Sequence, residues 1–163
     1  MKLGVFISLL LTALIAREVI AADVERLQSP AGKQTSLSRL TTDANGRIHL
    51  SWVSSTGPLS SLYHASFADD EWSNAMLVGD GEDWFVNWAD FPFFSANDAG
   101  MAANWLRKSS DGIYDYDVGA TFYSAATAQW SDPAVIHRDD VSAEYGFVSM
   151  LPMHNDATLI AWL

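Results

Sequence analysis

The 163-residue sequence contains no cysteine. Disulfides are excluded, so stability has to come from packing, and a lipid-modified N-terminal Cys is excluded with them. Basic residues are scarce as well: nine Lys and Arg face twenty Asp and Glu, for a formal charge of −11. A nucleic-acid partner needs clustered Lys and Arg along a phosphate backbone, and this balance argues against one. Long apolar runs are missing beyond Leu3 to Ala16, which is too short to cross a bilayer as a stable helix. No Gly-rich phosphate loop or serine-nucleophile elbow occurs. His49, His64, His137 and His154 share no metal-ligand spacing. Asp111, Asp115 and Asp117 match a calcium loop only loosely. No cofactor and no metal are expected.

The first 21 residues read as a secretory signal. Lys2 opens it, Leu3 to Ala16 is its apolar run, and Val19-Ile20-Ala21 is a small-residue cleavage site. The predicted location is therefore secreted or periplasmic, with no stable membrane anchor once the signal is cut. The signal carries Lys2, Arg17 and Glu18, so the remainder is one unit more acidic than the whole chain. Such a surface repels anionic partners.

Residues 22–35 form a polar lead-in. After it, Ser36 to Leu40, the Asn45-Gly46 turn and Arg47 to Val53 read as strand, turn, strand, since Asn-Gly is a strong hairpin signal. In the second strand Ile48, Leu50 and Trp52 alternate with Arg47, His49 and Ser51. Ser54 to Ser60 reads as a loop, Ser61 to Phe67 as a third strand, Asp69-Asp70 as a turn and Trp72 to Val78 as a fourth strand. The pattern then restarts. Phe91 to Ala96 and Met101 to Leu106 repeat the hairpin, turning at Asn97 to Gly100. Tyr114 to Tyr123 repeats the third strand and Trp130 to His137 the fourth. A third copy opens at Phe147 to Pro152, turns at His154-Asn155-Asp156 and runs through Thr158 to Leu163.

Two tryptophan series fix the period. Trp52, Trp105 and Trp162 are 53 and 57 residues apart, each in a second strand. Trp72 and Trp130, each followed by Ser, are 58 apart. A four-strand unit recurring at this period marks a β-propeller blade, and repeated aromatics would fill the wedges between blades. The fold class is thus all-β: a partial propeller of four-stranded antiparallel blades at 36–78 and 91–137, with a partial blade at 147–163. Propellers close with typically 4–8 blades. Leu163 accordingly reads as a truncation point, with part of any central site beyond it.

Several segments together resemble a known group. They are Asp83-Trp84-Phe85-Val86-Asn87-Trp88-Ala89-Asp90-Phe91-Pro92, Ala103-Asn104-Trp105-Leu106-Arg107-Lys108-Ser109, Tyr114-Asp115-Tyr116-Asp117-Val118, His137-Arg138-Asp139-Asp140 and Glu144-Tyr145-Gly146-Phe147-Val148-Ser149. These are similar to exported bacterial proteins of the sialidase-like, or exo-alpha-sialidase, family, whose fold is a six-bladed propeller. The resemblance covers about Thr35 to Leu163. It implies a glycan or glycoconjugate as partner and, more distantly, glycoside hydrolysis. The family's Asp-box, roughly Ser-x-Asp-x-Gly-x-x-Trp, is reduced here. Ser124 and Trp130 survive in one copy, and Ser66, Asp69 and Trp72 in a shortened other. The Arg-Ile-Pro motif that carries the first of three carboxylate-gripping arginines is absent.

In a blade the strands run outward from the axis, alternately down and up. One face should therefore collect Ser54 to Ser60, Gly79 to Asp90, Arg107 to Ile113 and Asp139 to Gly146, loops held by a rigid scaffold. Trp84, Trp88 and Tyr145 could stack on a sugar, Asn87 could bind hydroxyls, and Arg107 and Arg138 could pair with a carboxylate. Glycoside hydrolysis needs an acid and a nucleophile or base, and sialidases use Tyr as nucleophile. Asp90 and Glu144, each just before an inner strand, are the candidate carboxylates, and Tyr145 the candidate nucleophile. Beside Trp88 and Phe91, Asp90 would be desolvated, which favours the protonated form that a general acid requires. The alternative for Asp90 is a cap accepting backbone N–H groups. For Glu144 and Tyr145 it is a solvated loop. For the whole chain the alternatives are a non-catalytic glycan- or protein-binding propeller of the cell envelope, or a truncated, inactive fragment.

Overall fold

A computed structural model describes residues 24–97, 100–139, 141–153 and 157–163. The expected signal and the turn at 154–156 lie outside them. The described residues hold thirteen strands: β1 (Thr35–Thr42), β2 (Ile48–Thr56), β3 (Leu59–Ala68), β4 (Glu71–Trp72), β5 (Met76–Gly81), β6 (Trp84–Phe85), β7 (Phe93–Ala96), β8 (Gly100–Lys108), β9 (Tyr116–Ser124), β10 (Gln129–Trp130), β11 (Ala134–Val135), β12 (Ser149–Pro152) and β13 (Thr158–Ala161). Every pairing between them is antiparallel. None of the described residues forms a helix long and apolar enough to cross a membrane.

The first sheet runs β1-β2-β3, with β4 and then β5 along the outer side of β3. The second repeats this: β7-β8-β9, with β10 and β11 along β9. The third pairs β12 with β13. The innermost strands of successive sheets are neighbours, β1 against β7 and β7 against β12. That arrangement is a partial propeller.

The turns follow from local chemistry. Asn45-Gly46 is held by Asp43, whose Oδ1 accepts the N–H groups of Asn45 and Arg47 at 3.0 and 2.9 Å. Asp69 and Asp70 both adopt positive φ, 51° and 63°, so β3 and β4 join through the primed turn that suits a two-residue hairpin. The segment expected as a loop at Ser54 to Ser60 shrinks to Gly57-Pro58. Gly57 has φ +61°, and the flanking residues pair as Thr56 with Leu59.

Each outer strand, expected to be continuous, breaks just after its Trp. Trp72 pairs with Phe67, and Trp130 with Tyr123. The next residue then ties the break to the neighbouring strand. Ser73 Oγ accepts the N–H of Ser66 at 3.0 Å, and Ser131 Oγ that of Phe122 at 3.1 Å. Both serine N–H groups return a bond at 2.8 Å. The Trp-Ser repeat therefore marks where the outer strand detaches and re-enters.

The wedges between sheets are filled as the tryptophan series predicts. Trp105 projects toward the first sheet and shares a core with Val53, Leu62, Val78 and Phe94. A Cβ on Gly79 would lie 2.8 Å from its ring, so only glycine fits there. Trp84 stacks on Trp105 with centroids 4.5 Å apart. Trp162 packs against Leu106, Tyr116 and Val118 in the next wedge. Because the second sheet covers the face that carries His49, where Phe94 lies 5.8 Å from the imidazole, His49 and Ser51 are buried, while on the other face Trp52 is buried beside Tyr63 of its own sheet.

Candidate functional site

The decisive local structure is the turn at 87–90. Asn87 Oδ1 accepts the N–H groups of Ala89 and Asp90, both at 2.7 Å, and the Asn87 N–H donates to the Asp90 carbonyl at 3.0 Å. This Asx-turn fixes the chain without help from a sheet. It leaves Trp88 87 % exposed at the tip and turns the Asp90 side chain inward, where the residue is 8 % exposed. Asn87 has thereby committed its oxygen, so a ligand hydroxyl would have to be taken by Nδ2.

Asp90 stands where three inner strands meet. Its Oδ1 accepts the N–H of Phe147 at 2.7 Å. A Cβ on Gly146 would come within 3.0 Å of the same oxygen, so the approach depends on glycine. From the first blade comes Arg39, just past an irregularity in β1 where Leu37 has φ 54°. Such a bulge re-aims the side chains beyond it. The guanidinium lies 3.3 Å from the Phe93 ring centroid, a cation–π contact. Burial pulls Arg39 below its ordinary value, yet a guanidinium remains charged at neutral pH. Arg39, Asp90, Phe93, Asn104 and Val148 border a hollow of about 40 Å³, room for about one water molecule or one ligand substituent. Asn104 is 1 % exposed, and its Oδ1 has no hydrogen-bond partner among the described residues.

Glu144 reaches this region through Tyr116. The Tyr116 N–H donates to the Ala143 carbonyl at 3.2 Å, setting Glu144 beside Tyr116 in an isolated parallel bridge. Phe85 stacks on Tyr116 with centroids 4.1 Å apart. The Tyr116 hydroxyl is buried and makes no well-aligned hydrogen bond. Burial, then the carboxylates of Glu144 and Asp90, push the phenol up to about 12. A neutral hydroxyl thus sits within electrostatic reach of both candidate carboxylates.

The other expected residues fall elsewhere. Arg107 donates from Nε and a terminal nitrogen to Asp83 Oδ2 at 2.9 and 2.8 Å, a pair with both side chains 41 % exposed. Trp84 has one ring face committed to Trp105. Arg138 is exposed. Tyr145 donates to Asp139 Oδ2 at 2.6 Å, and that bond pushes its phenol up to about 12. Arg39, Asn104 and Tyr116 are additions that the sequence reading did not single out. Asn104 and Tyr116 do lie within segments that carry the family resemblance, whereas Arg39 has no such signal.

No family model matches this chain, and no curated protein does. A solved structure, the endo-arabinase from Bacteroides thetaiotaomicron VPI-5482, aligns with a TM-score of 0.52 at 16 % identity, over 78 % of this chain and 50 % of that one. The likeness bears on the fold alone, an all-β propeller. The chain spans about half the length of that structure. This likeness supports the propeller fold expected from the sequence without singling out the sialidase-like form.

Proposed function

We propose that the chain is part of an exported glycan-processing propeller that hydrolyses a glycosidic bond at the mouth around Asp90. One observation carries this reading: a buried carboxylate shares a small hollow with the Arg39 cation and the unpartnered Asn104 oxygen. Polar groups buried without full partnering are costly, and they gather where a ligand completes them. In this reading Asp90 is the acid, Glu144 the second carboxylate, and Trp88 and Asn87 meet the sugar at the rim. Residues 1–21 are a signal, 22–35 a lead-in and 36–163 the propeller portion.

Two substrate classes follow from the two likenesses, sialosides and arabinan. A sialoside carboxylate calls for several converging arginines. Among the described residues Arg39 is the one cation lining the hollow, while Arg107 is engaged by Asp83. That difference favours an uncharged glycan. The sialidase-like form draws instead on Tyr145, whose hydroxyl already has a carboxylate base in Asp139. A non-catalytic binding propeller is favoured by a separate observation, the commitment of Asp90 Oδ1 to Phe147 in the manner of a cap.

The test incubates the purified protein with debranched arabinan and, separately, with sialyllactose. Release of reducing ends from arabinan that is lost in Asp90→Asn supports the proposal. Release of sialic acid instead supports the sialidase-like form. Retention of glycan without cleavage, unchanged in Asp90→Asn, supports the binding propeller.

A further inference from the structure

A second hollow, of about 400 Å³, lies outward of the first, between the start of β9, the end of β11 and the crossing segment that leads to Glu144. Its lining includes Asp117, Val135, His137, Val141 and Ser142. Small-molecule pockets are typically about 300–1,000 Å³. The volume therefore suits a sugar ring.

His137 organises this hollow. Its side chain is 8 % exposed, and its two nitrogens face different carboxylates. Nδ1 is 3.0 Å from Asp139 Oδ1, and Asp139 Oδ2 accepts the Tyr145 hydroxyl at 2.6 Å. The Tyr145 ring lies against the imidazole at 4.2 Å. The ring is thus held on one side by a bond and on one face by packing, as a group must be to orient a ligand. Nε2 has no such partner. It lies 3.5 Å from Asp117 Oδ1 without making a hydrogen bond, and it is buried.

A carboxylate only accepts, so the nitrogen beside Asp139 carries the proton. In the neutral ring this leaves Nε2 as a lone pair next to the acceptor oxygen of Asp117. Two acceptors side by side call for two donors. Adjacent hydroxyls of a sugar supply them, one to Nε2 and one to the carboxylate. If the ring also carries a proton on Nε2, a hydroxyl still serves, since it accepts as readily as it donates. An anionic ligand does not fit, because Asp117 and Asp139 repel it. Val135 and Val141, 43 % and 54 % exposed, offer an apolar wall for the C–H face of a ring.

We propose that this hollow is a second carbohydrate pocket, in which His137 and Asp117 hold adjacent hydroxyls of an uncharged sugar. That the ligand is a sugar rests on the glycan-processing reading above; that it is uncharged, with neighbouring hydroxyls, rests on this hollow alone.

Calorimetric titration of the full chain with arabinotriose and with lactose tests it. His137→Phe removes Nε2, and Ser142→Trp fills the hollow from an exposed position while residue 137 stays a histidine. Both variants are expected to weaken binding of at least one sugar tenfold or more, with circular dichroism unchanged. Asp90→Asn reports separately on the mouth. Wild-type affinity in both His137→Phe and Ser142→Trp overturns the second pocket, as does binding lost in Asp90→Asn alone, and either result leaves the proposed function standing. If the wild-type chain cleaves a glycan yet binds neither sugar, the second pocket is again overturned alone. No cleavage and no binding overturn both.

Discussion

The backbone N–H of Phe147 donates to Oδ1 of Asp90 at 2.7 Å, joining residues 57 apart in the chain. The bond ties the approach to β12 to the approach to β7, so the carboxylate proposed to act on a glycan also holds two blades together. The two duties can be separated. Asp90→Asn keeps an acceptor oxygen and should cost less than about 1 kcal/mol, whereas Asp90→Ala strands the Phe147 donor and should cost about 1–3 kcal/mol. Both should abolish hydrolysis. Denaturant titrations beside initial rates check this, and activity in a folded Asp90→Asn protein would reduce Asp90 to a cap.

Trp88 should behave oppositely. It is 87 % exposed at the tip of a turn that holds itself through Asn87. Trp88→Ala should leave stability within about 0.5 kcal/mol and weaken glycan binding by about 1–3 kcal/mol if the indole stacks on a sugar. Affinity electrophoresis on soluble glycan together with a thermal melt measures both.

Gly79 and Trp105 report on the wedge. Gly79→Ala sets a methyl 2.8 Å from a buried indole that is itself stacked on Trp84. The expected loss is about 1–3 kcal/mol from overpacking. Trp105→Ala should cost about 3–5 kcal/mol. Gly79→Ala in a Trp105→Phe background should cost less than in the parent if the indole is what the methyl meets.

Acid should loosen the same wedge. His49 Nδ1 is 2.9 Å from His64 Nε2, and His64 stacks on Phe94 of the next blade at 4.4 Å. Burial, then the neighbouring His49, pulls His64 down to about 4. An unfolded His takes its proton near pH 6.5. Between those values the unfolded chain binds the extra proton, so stability falls as pH drops from about 6.5 to about 4 and the loss is complete below. On the order of 3 kcal/mol is at stake. Unfolding free energies across this range should show the slope, and His64→Phe should flatten it.

Local chemistry was legible in the sequence where it acts alone. Asn45-Gly46 and Asp69-Asp70 announce their turns, and the tryptophan spacing announces the blades. What was hidden depends on neighbouring blades. The alternation of Ile48, Leu50 and Trp52 with His49 and Ser51 suggests a strand with one wet face, yet the next blade covers that face and makes His49 and Ser51 core residues. Arg39 reads as a surface strand residue until Phe93 of the second blade comes beneath it. Tyr116 gains its setting only when the distant segment that carries Glu144 pairs beside it. Asp90 was legible as a polar group in an aromatic run, but its bond to Phe147 spans two blades and leaves no local trace.

The Trp-Ser breaks bear on how copies of this protein behave when crowded. A sheet edge is dangerous when it offers a long, straight row of free amide and carbonyl groups to another chain. Here the outermost strand of the first blade is cut into pieces of two and six residues, and that of the second into two and two. Ser73 and Ser131 draw part of each exposed row back onto the blade's own backbone. A neighbouring molecule arriving edge-on at the second blade meets pieces of two residues only, and at the first a single six-residue piece, β5. The residues that mark the repeat also shorten the row of backbone that each blade offers to strangers.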